Sequence, residues 1–399
     1  MRRLCLPCLL ATVSAGAEFA GAGNKASAAH EHLREGRLAR LQFDRAGALR
    51  HFSAAFELAP DDPAVLREYA FATPARSLES ALNQRLLRLP NSPEHWKSDA
   101  QARAEVLRRL GGRAVNELKS PYERHEIRMP VVYSRDDRTI GWVLSVSING
   151  ERPLRLMFDT GSRGILVSRG DAARLGLEKL GGSIVGGFGD RASRRGEFLL
   201  AKSVRTGGLE FGNVIVEAVD HDLPPEVDGL AGPDLFRQFQ LALDGRRRIL
   251  KLEPFPDTDP QDGAGERPWT WHERSGSGHS LLQAGHLLVA PVLTEGREAL
   301  FVIDSGAAFS LVQARQGTIS AGDVSLRGLS GFAAASRILQ PLRLQLGSHR
   351  ALVRELVSAD LSPISDRYGI PIAGFLGFPV LSRVTTRIDL RSGSLTISE

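Results

Sequence analysis

Two short stretches set a carboxylate at the end of an apolar strand: Leu156-Met157-Phe158-Asp159-Thr160-Gly161 and Phe301-Val302-Ile303-Asp304-Ser305-Gly306. In each, Asp is followed by a small hydroxyl residue and then Gly, and the two aspartates lie 145 positions apart. Such a pair suits hydrolysis without a metal or a covalent nucleophile. That reaction needs a base to activate water and an acid to protonate the carbonyl oxygen. Two carboxylates about 3 Å apart share one proton, because both cannot easily ionise, and together they supply both roles. Gly161 and Gly306 allow a tight loop that brings backbone close behind each carboxylate. Thr160 and Ser305 are placed to hydrogen-bond across a pseudo-twofold axis. Ser162 adds a hydroxyl beside Asp159 where Ala307 stands beside Asp304, an expected source of asymmetry.

The elements that must hold these turns repeat at the same interval. Gly229-Leu230-Ala231-Gly232 is matched by Gly374-Phe375-Leu376-Gly377, and Asp244 by Asp389, each ending an apolar strand before a turn. One half of the chain copies the other, and each half supplies one carboxylate. A single Asp-Thr-Gly is a weak signal, since Asp and Gly are ordinary turn residues. Two of them, each followed by an apolar-apolar-Gly at one repeat interval, are specific.

These residues resemble the aspartic proteases, the retropepsin-like branch more than the pepsin-like one. Leu230-Ala231-Gly232 and Phe375-Leu376-Gly377 match the element that lies beneath the catalytic loop in that family. The resemblance covers about residues 127–397. It implies Asp159 and Asp304 as the catalytic dyad and Thr160 and Ser305 as the hydroxyls locking the loops, with Gly161, Ser162 and Gly306 in support. It also implies a peptide or protein substrate, no cofactor and no metal. A flap is expected in each half, at Gly187-Phe188 and at Gly331-Phe332; neither pair carries the tyrosine of a pepsin flap. The Gly-rich residues 181–189 lack the Gly-x-x-x-x-Gly-Lys of a phosphate loop.

At 399 residues the chain is expected to hold two or three domains. Residues 24–120 are rich in Ala, Leu, Arg and Glu, with apolar residues three and four apart. There Gly36, Ala39, Ala48, Phe52, Ala55 and Pro60 fall at the small and aromatic positions of a tetratricopeptide repeat, which this stretch resembles. Small residues let two helices approach while Phe52 fills the gap between them. A second, less regular copy has Tyr69 and Leu82 in its core and Pro90 at its end. From about Ile127 the period changes to two. The expected fold class is mainly β: two duplicated aspartic-protease-like lobes, residues 127–255 and 281–399, joined by a Pro-, Gly- and Asp-rich linker over 256–280. An α-helical, tetratricopeptide-like segment precedes them. Short helices are expected at Asp171–Leu175 and near Leu361.

Residues 1–17 read as an export signal, with Arg2-Arg3, an apolar stretch from Leu4 to Val13 and the small-x-small Ala15-Gly16-Ala17. The expected location is periplasmic or secreted, and no segment is long enough to span a bilayer. Cys5 and Cys8, the two cysteines, lie inside that signal, so disulfides and cysteine catalysis are not expected. The net charge of +5 comes from scattered arginines without an aromatic-interleaved basic stripe, which argues against nucleic acid. His30-Glu31-His32 has the wrong spacing for two metal ligands on one helical face. Trp269 and Trp271 are read as anchors of the linker, and His272 has no evident role. The expected function is endopeptide hydrolysis by general acid–base activation of water. Two alternatives use the same fold: an inactive peptide-binding module, and an adaptor that engages a protein partner through its helical segment.

Overall fold

The computed structural model describes residues 23–134, 137–187, 194–255, 279–314, 320–329, 331–338, 340–346, 349–354 and 356–398. The expected signal over 1–17, most of the linker (256–278), and Phe188 of the first flap lie outside these residues. The chain divides into a helical unit ending at Arg113 and a β unit starting at Ala114.

The helical unit holds α1 (Gly23–Leu41), α2 (Arg45–Leu58), α3 (Pro63–Ala72), α4 (Arg76–Arg88) and α5 (Glu94–Leu110). Local chemistry sets the breaks between helices. Asp44 and Asp62 cap α2 and α3 by accepting bonds from backbone N–H groups of the first turn, and Gly111 closes α5 at φ 56°. A Cβ on Gly36 would stand 2.5 Å from the ring of Phe52, which is fully buried between α1 and α2. Leu82 is buried and Tyr69 packs partly buried against the same core, its hydroxyl on the Ser53 hydroxyl at 3.3 Å. The buried Glu68 accepts from Arg37 at 2.9 Å and also pairs with Arg40. Burial opposes its charge, but the arginines outweigh burial and hold its carboxyl below the usual range.

The helical segment was expected to run to residue 120, but the chain leaves it earlier. Glu117–Leu118 pairs antiparallel with Leu209–Ala218, and its backbone bonds belong to the β unit. His279 and Ser280, expected in the linker, likewise pair with Leu395 and Ser394 as a short strand. Just ahead of the linker, Arg391 lies over the Phe255 ring at 4.0 Å.

The β unit contains a nine-stranded sheet, a ten-stranded sheet and a six-stranded sheet among the described residues. In the first lobe, strand Thr139–Ile148 turns at Asn149-Gly150 and returns as Leu154–Phe158. Both turn residues have positive φ, 53° and 79°, the tight hairpin geometry for which Asn-Gly is suited. Strand Gly229–Ala231 then lies parallel to Leu154–Phe158 and antiparallel to Ile165–Val167. The second lobe repeats this, with Ile372–Leu376 between Arg297–Ile303 and Ser310–Gln313. Strands of this kind, buried on both faces, read as continuous apolar runs. Each lobe sends a hairpin into the six-stranded sheet. The two meet where Leu241 faces Ile388 and Leu243 faces Thr386. The fully buried Trp142 of the first lobe meets Phe378 of the second edge-on at 4.6 Å.

The short helices form at Arg169–Arg174, capped by Ser168, and at Ser362–Tyr368. No helix among the described residues is long and apolar enough to cross a membrane.

Candidate active site

Asp159 and Asp304 each sit one residue past the end of a central strand, and the backbone N–H of each is held by the strand alongside. Asp159 N–H donates to the Ala231 carbonyl and Asp304 N–H to the Leu376 carbonyl, both at 3.0 Å. The apolar-apolar-Gly elements therefore lie directly against the turns. A Cβ on Gly232 would stand 2.6 Å from the Ser162 carbonyl, and one on Gly377 2.3 Å from the Phe309 carbonyl. No side chain fits at either place.

The two turns interlock. Thr160 N–H donates to Ser305 Oγ at 3.0 Å, and Ser305 N–H donates to Thr160 Oγ1 at 2.9 Å. The hydroxyls then donate onward, Thr160 to the Ile303 carbonyl and Ser305 to the Phe158 carbonyl, both at 2.7 Å. Thr160 and Ser305 are fully buried, and each buried donor and acceptor of the lock is satisfied. Gly161 and Gly306 make room across the axis rather than behind their own carboxylates. A Cβ on Gly161 would stand 2.9 Å from the Asp304 carboxyl carbon, and one on Gly306 2.5 Å from that of Asp159.

The carboxylates differ in their donors. Asp159 Oδ1 accepts from Gly161 N–H at 2.8 Å, and the Gly306 backbone across the axis also bonds this carboxyl. Asp304 Oδ1 accepts from both Gly306 and Ala307 N–H, at 2.9 and 3.0 Å. Ser162 gives its backbone N–H to the Asp159 carbonyl at 3.1 Å, whereas the Ala307 amide also reaches the Asp304 carboxylate at 3.0 Å. Burial, then the Asp304 charge, pushes the Asp159 carboxyl well above the ordinary range. Burial raises Asp304 too, against the pull of its hydrogen bonds with Asp159 and the two amides. The arrangement favours a single proton shared between the two carboxyls.

Of the expected flap positions, Gly187, Gly331 and Phe332 are among the described residues. Gly187 follows strand Glu178–Val185, which pairs with Arg194–Thr206. Gly331 opens strand Gly331–Ile338, tightly turned from Ser320–Gly328, and has φ 133°. Phe332 lies on that strand, and Phe188 lies outside the described residues. Trp269, Trp271 and His272 also lie outside them.

Four residues near the dyad were missed by the sequence reading: Arg163, His286, Arg367 and Tyr368. His286, from a turn of the second lobe, bonds the backbone of Gly161. Its ring meets that of Tyr368 edge-on at 6.0 Å. Burial, with Arg163 and then Arg367 against it, lowers the imidazole to about 4. Only Arg163 had a local signal, its place four residues after Asp159.

Residues 144–235 match the aspartyl protease family. No curated protein matches the chain. Among solved structures, the chain is similar to an aspartic proteinase from Irpex lacteus, at 12% identity over 69% of this chain and 97% of that one, TM-score 0.45. It is also similar to Basic 7S globulin from soybean, at 9% identity over 70% and 95% of the two chains, TM-score 0.42. A retropepsin-like aspartic protease from Rickettsia conorii aligns at 21% identity over 35% of this chain and 96% of that one, TM-score 0.25.

Proposed function

We propose that the β unit, retropepsin-like aspartic protease in family and fold, is a working endopeptidase with Asp159 and Asp304 as its dyad. The observation that carries this reading is the reciprocal lock, in which the glycine of each turn leaves room for the carboxylate of the other. Two half-buried carboxyls held that close share a proton and meet the geometric demand of general acid–base catalysis.

The roles follow from the donors. Asp304, with two amides on one oxygen, is the base that takes a proton from water. Asp159 holds the shared proton and delivers it to the carbonyl oxygen as the tetrahedral carbon forms. Thr160 and Ser305 keep both groups in register and touch no substrate. A peptide lying extended across the cleft would pair with the hairpins through its backbone, which gives affinity without strict sequence demand. Residues 1–17 fit export of such an enzyme.

The test is cleavage of an unbiased peptide mixture by the full chain from acid to neutral pH, beside Asp159→Asn and Asp304→Asn. Each substitution is expected to cut the rate by about 10²–10⁴-fold or more while the fold is kept. Cleavage that persists in both variants removes the dyad from the reaction. Absent cleavage with undiminished peptide binding favours the inactive module.

A further inference from the structure

Near the dyad, two exposed guanidinium groups act on one half-buried imidazole. Arg163 leaves the first-lobe turn four residues after Asp159, and Arg367 stands in the last turn of the second-lobe helix Ser362–Tyr368. Both are exposed, and both act electrostatically on His286 and on Tyr368. A continuous set of contacts ties the group to the reacting centre. The Asp304 carboxyl carbon is 2.9 Å from the Cβ position of Gly161, and the Gly161 backbone bonds His286. Arg367 also bonds the Tyr368 hydroxyl. On its other side, Arg367 Nη1 lies 2.6 Å from the Cβ position of Gly186, at the root of the first-lobe hairpin tip. Arg367 therefore reaches from the second lobe to the hairpin expected to cover a bound peptide.

We propose that Arg163 and Arg367, with His286 and Tyr368 as the wall between them and the dyad, form a subsite for an acidic side chain of the substrate. The inference rests on the protease reading and gives it a substrate class: peptides with Asp or Glu close to the cleaved bond. Guanidinium groups suit this task because their donors match a carboxylate in bidentate geometry. The neutral imidazole adds no charge, but it offers an aromatic wall that excludes water and strengthens the pairing.

Two carboxyls compete for Arg163. Glu217 and Asp234 both feel its charge, but burial raises each of them above the ordinary carboxylate range. Asp234 is further committed to the backbone, accepting Gly164 N–H at 2.6 Å. Arg163 is itself exposed, so an incoming carboxylate reaches it from solvent.

The test uses two fluorescein-labelled peptide pools of equal length, each built on Ala, Val, Leu and Phe with one fixed residue, Glu in one pool and Gln in the other. Binding is read by anisotropy on full-chain Asp159→Asn, and cleavage on the wild type. The Glu pool is expected to bind and to be cleaved about tenfold better or more, as charge-assisted hydrogen bonds exceed neutral ones. Arg163→Ala and Arg367→Ala, made separately, should each reduce the Glu-to-Gln ratio toward one, and Arg367→Lys should restore part of it. Equal ratios in the parent, or a Glu preference that survives both alanine variants, overturn the proposal. Arginine-dependent binding of the Glu pool without cleavage retains the subsite and removes the protease reading instead.

Discussion

In the first lobe, Asp159 takes one amide of its own turn, Gly161, and one from across the axis, Gly306; in the second, Asp304 takes two of its own turn, Gly306 and Ala307. Around the first turn stand Arg163 and Asp234, and at the matching positions of the second stand Ala308 and Pro379. The strands beneath are alike, the backbone bonds from Asp159 and Asp304 are alike, and the hydroxyl lock is reciprocal. Duplication has therefore kept the floor symmetric and let the rim diverge. Symmetry at the floor serves proximity, because two carboxyls must meet. Divergence serves the chemistry, because acid and base need different proton affinities, and a bound peptide has a direction.

Within the floor the two turns differ in one spacing. A Cβ added at Gly306 would stand 2.5 Å from the Asp159 carboxyl carbon, inside any real contact, against 2.9 Å for Gly161 and Asp304. Gly306→Ala is expected to lower kcat/KM by about 10²-fold or more, as displacing a reacting group by about 1 Å does. Gly161→Ala should lose less. Steady-state kinetics of both variants checks the order; equal losses would mean that the turns yield equally and that the difference in spacing has no consequence.

The lock tests the symmetry itself. Thr160→Val and Ser305→Ala each orphan one buried backbone N–H and one buried carbonyl, at about 1–3 kcal/mol per group. Because the four bonds form two equivalent pairs, the two variants should lose similar stability, read as the shift of the urea midpoint at unchanged slope. A difference above about 1 kcal/mol would show one lobe carrying the junction alone.

The floor was legible in the sequence because it is built from local motifs with fixed spacing. Asp159-Thr160-Gly161 and its copy announce themselves, and so do the glycines at 232 and 377, whose places admit no side chain. The 145-residue interval then supplied the pairing of halves that no single motif gives. The rim was not legible. His286 comes from a turn and Arg367 from a short helix, both away from the Asp-Thr/Ser-Gly motifs in sequence, and only the folding of one lobe onto the other brings them beside Gly161 and Gly186. One asymmetry of the turns was hidden for a related reason: the Ala307 amide that binds Asp304 is common to every residue but proline. Likewise Glu117 joins the β unit through backbone pairing with Gly212, which helical periodicity upstream does not foretell.

The smallest expected effect separates the two carboxyls without any catalytic assay. A carboxyl that binds its proton more tightly in the folded chain favours folding at low pH and loses that contribution as pH rises. For Asp159 the window opens near the ordinary value of 3.8 and extends upward, because burial and the Asp304 charge raise the folded value. Each unit of such a difference corresponds to about 1.4 kcal/mol. Asp159→Asn places a neutral donor where the protonated acid stands and so keeps the contact to Asp304 without the titration. Its thermal midpoint should match wild type near about pH 4 and exceed it near about pH 7, the gap widening in between. Asp304→Asn should gain less, since an amide there forfeits the charge that the Gly306 and Ala307 amides stabilise. Parallel melting curves for wild type and Asp159→Asn across that range would mean that Asp159 does not hold the shared proton, and the assignment of acid and base would have to be reversed.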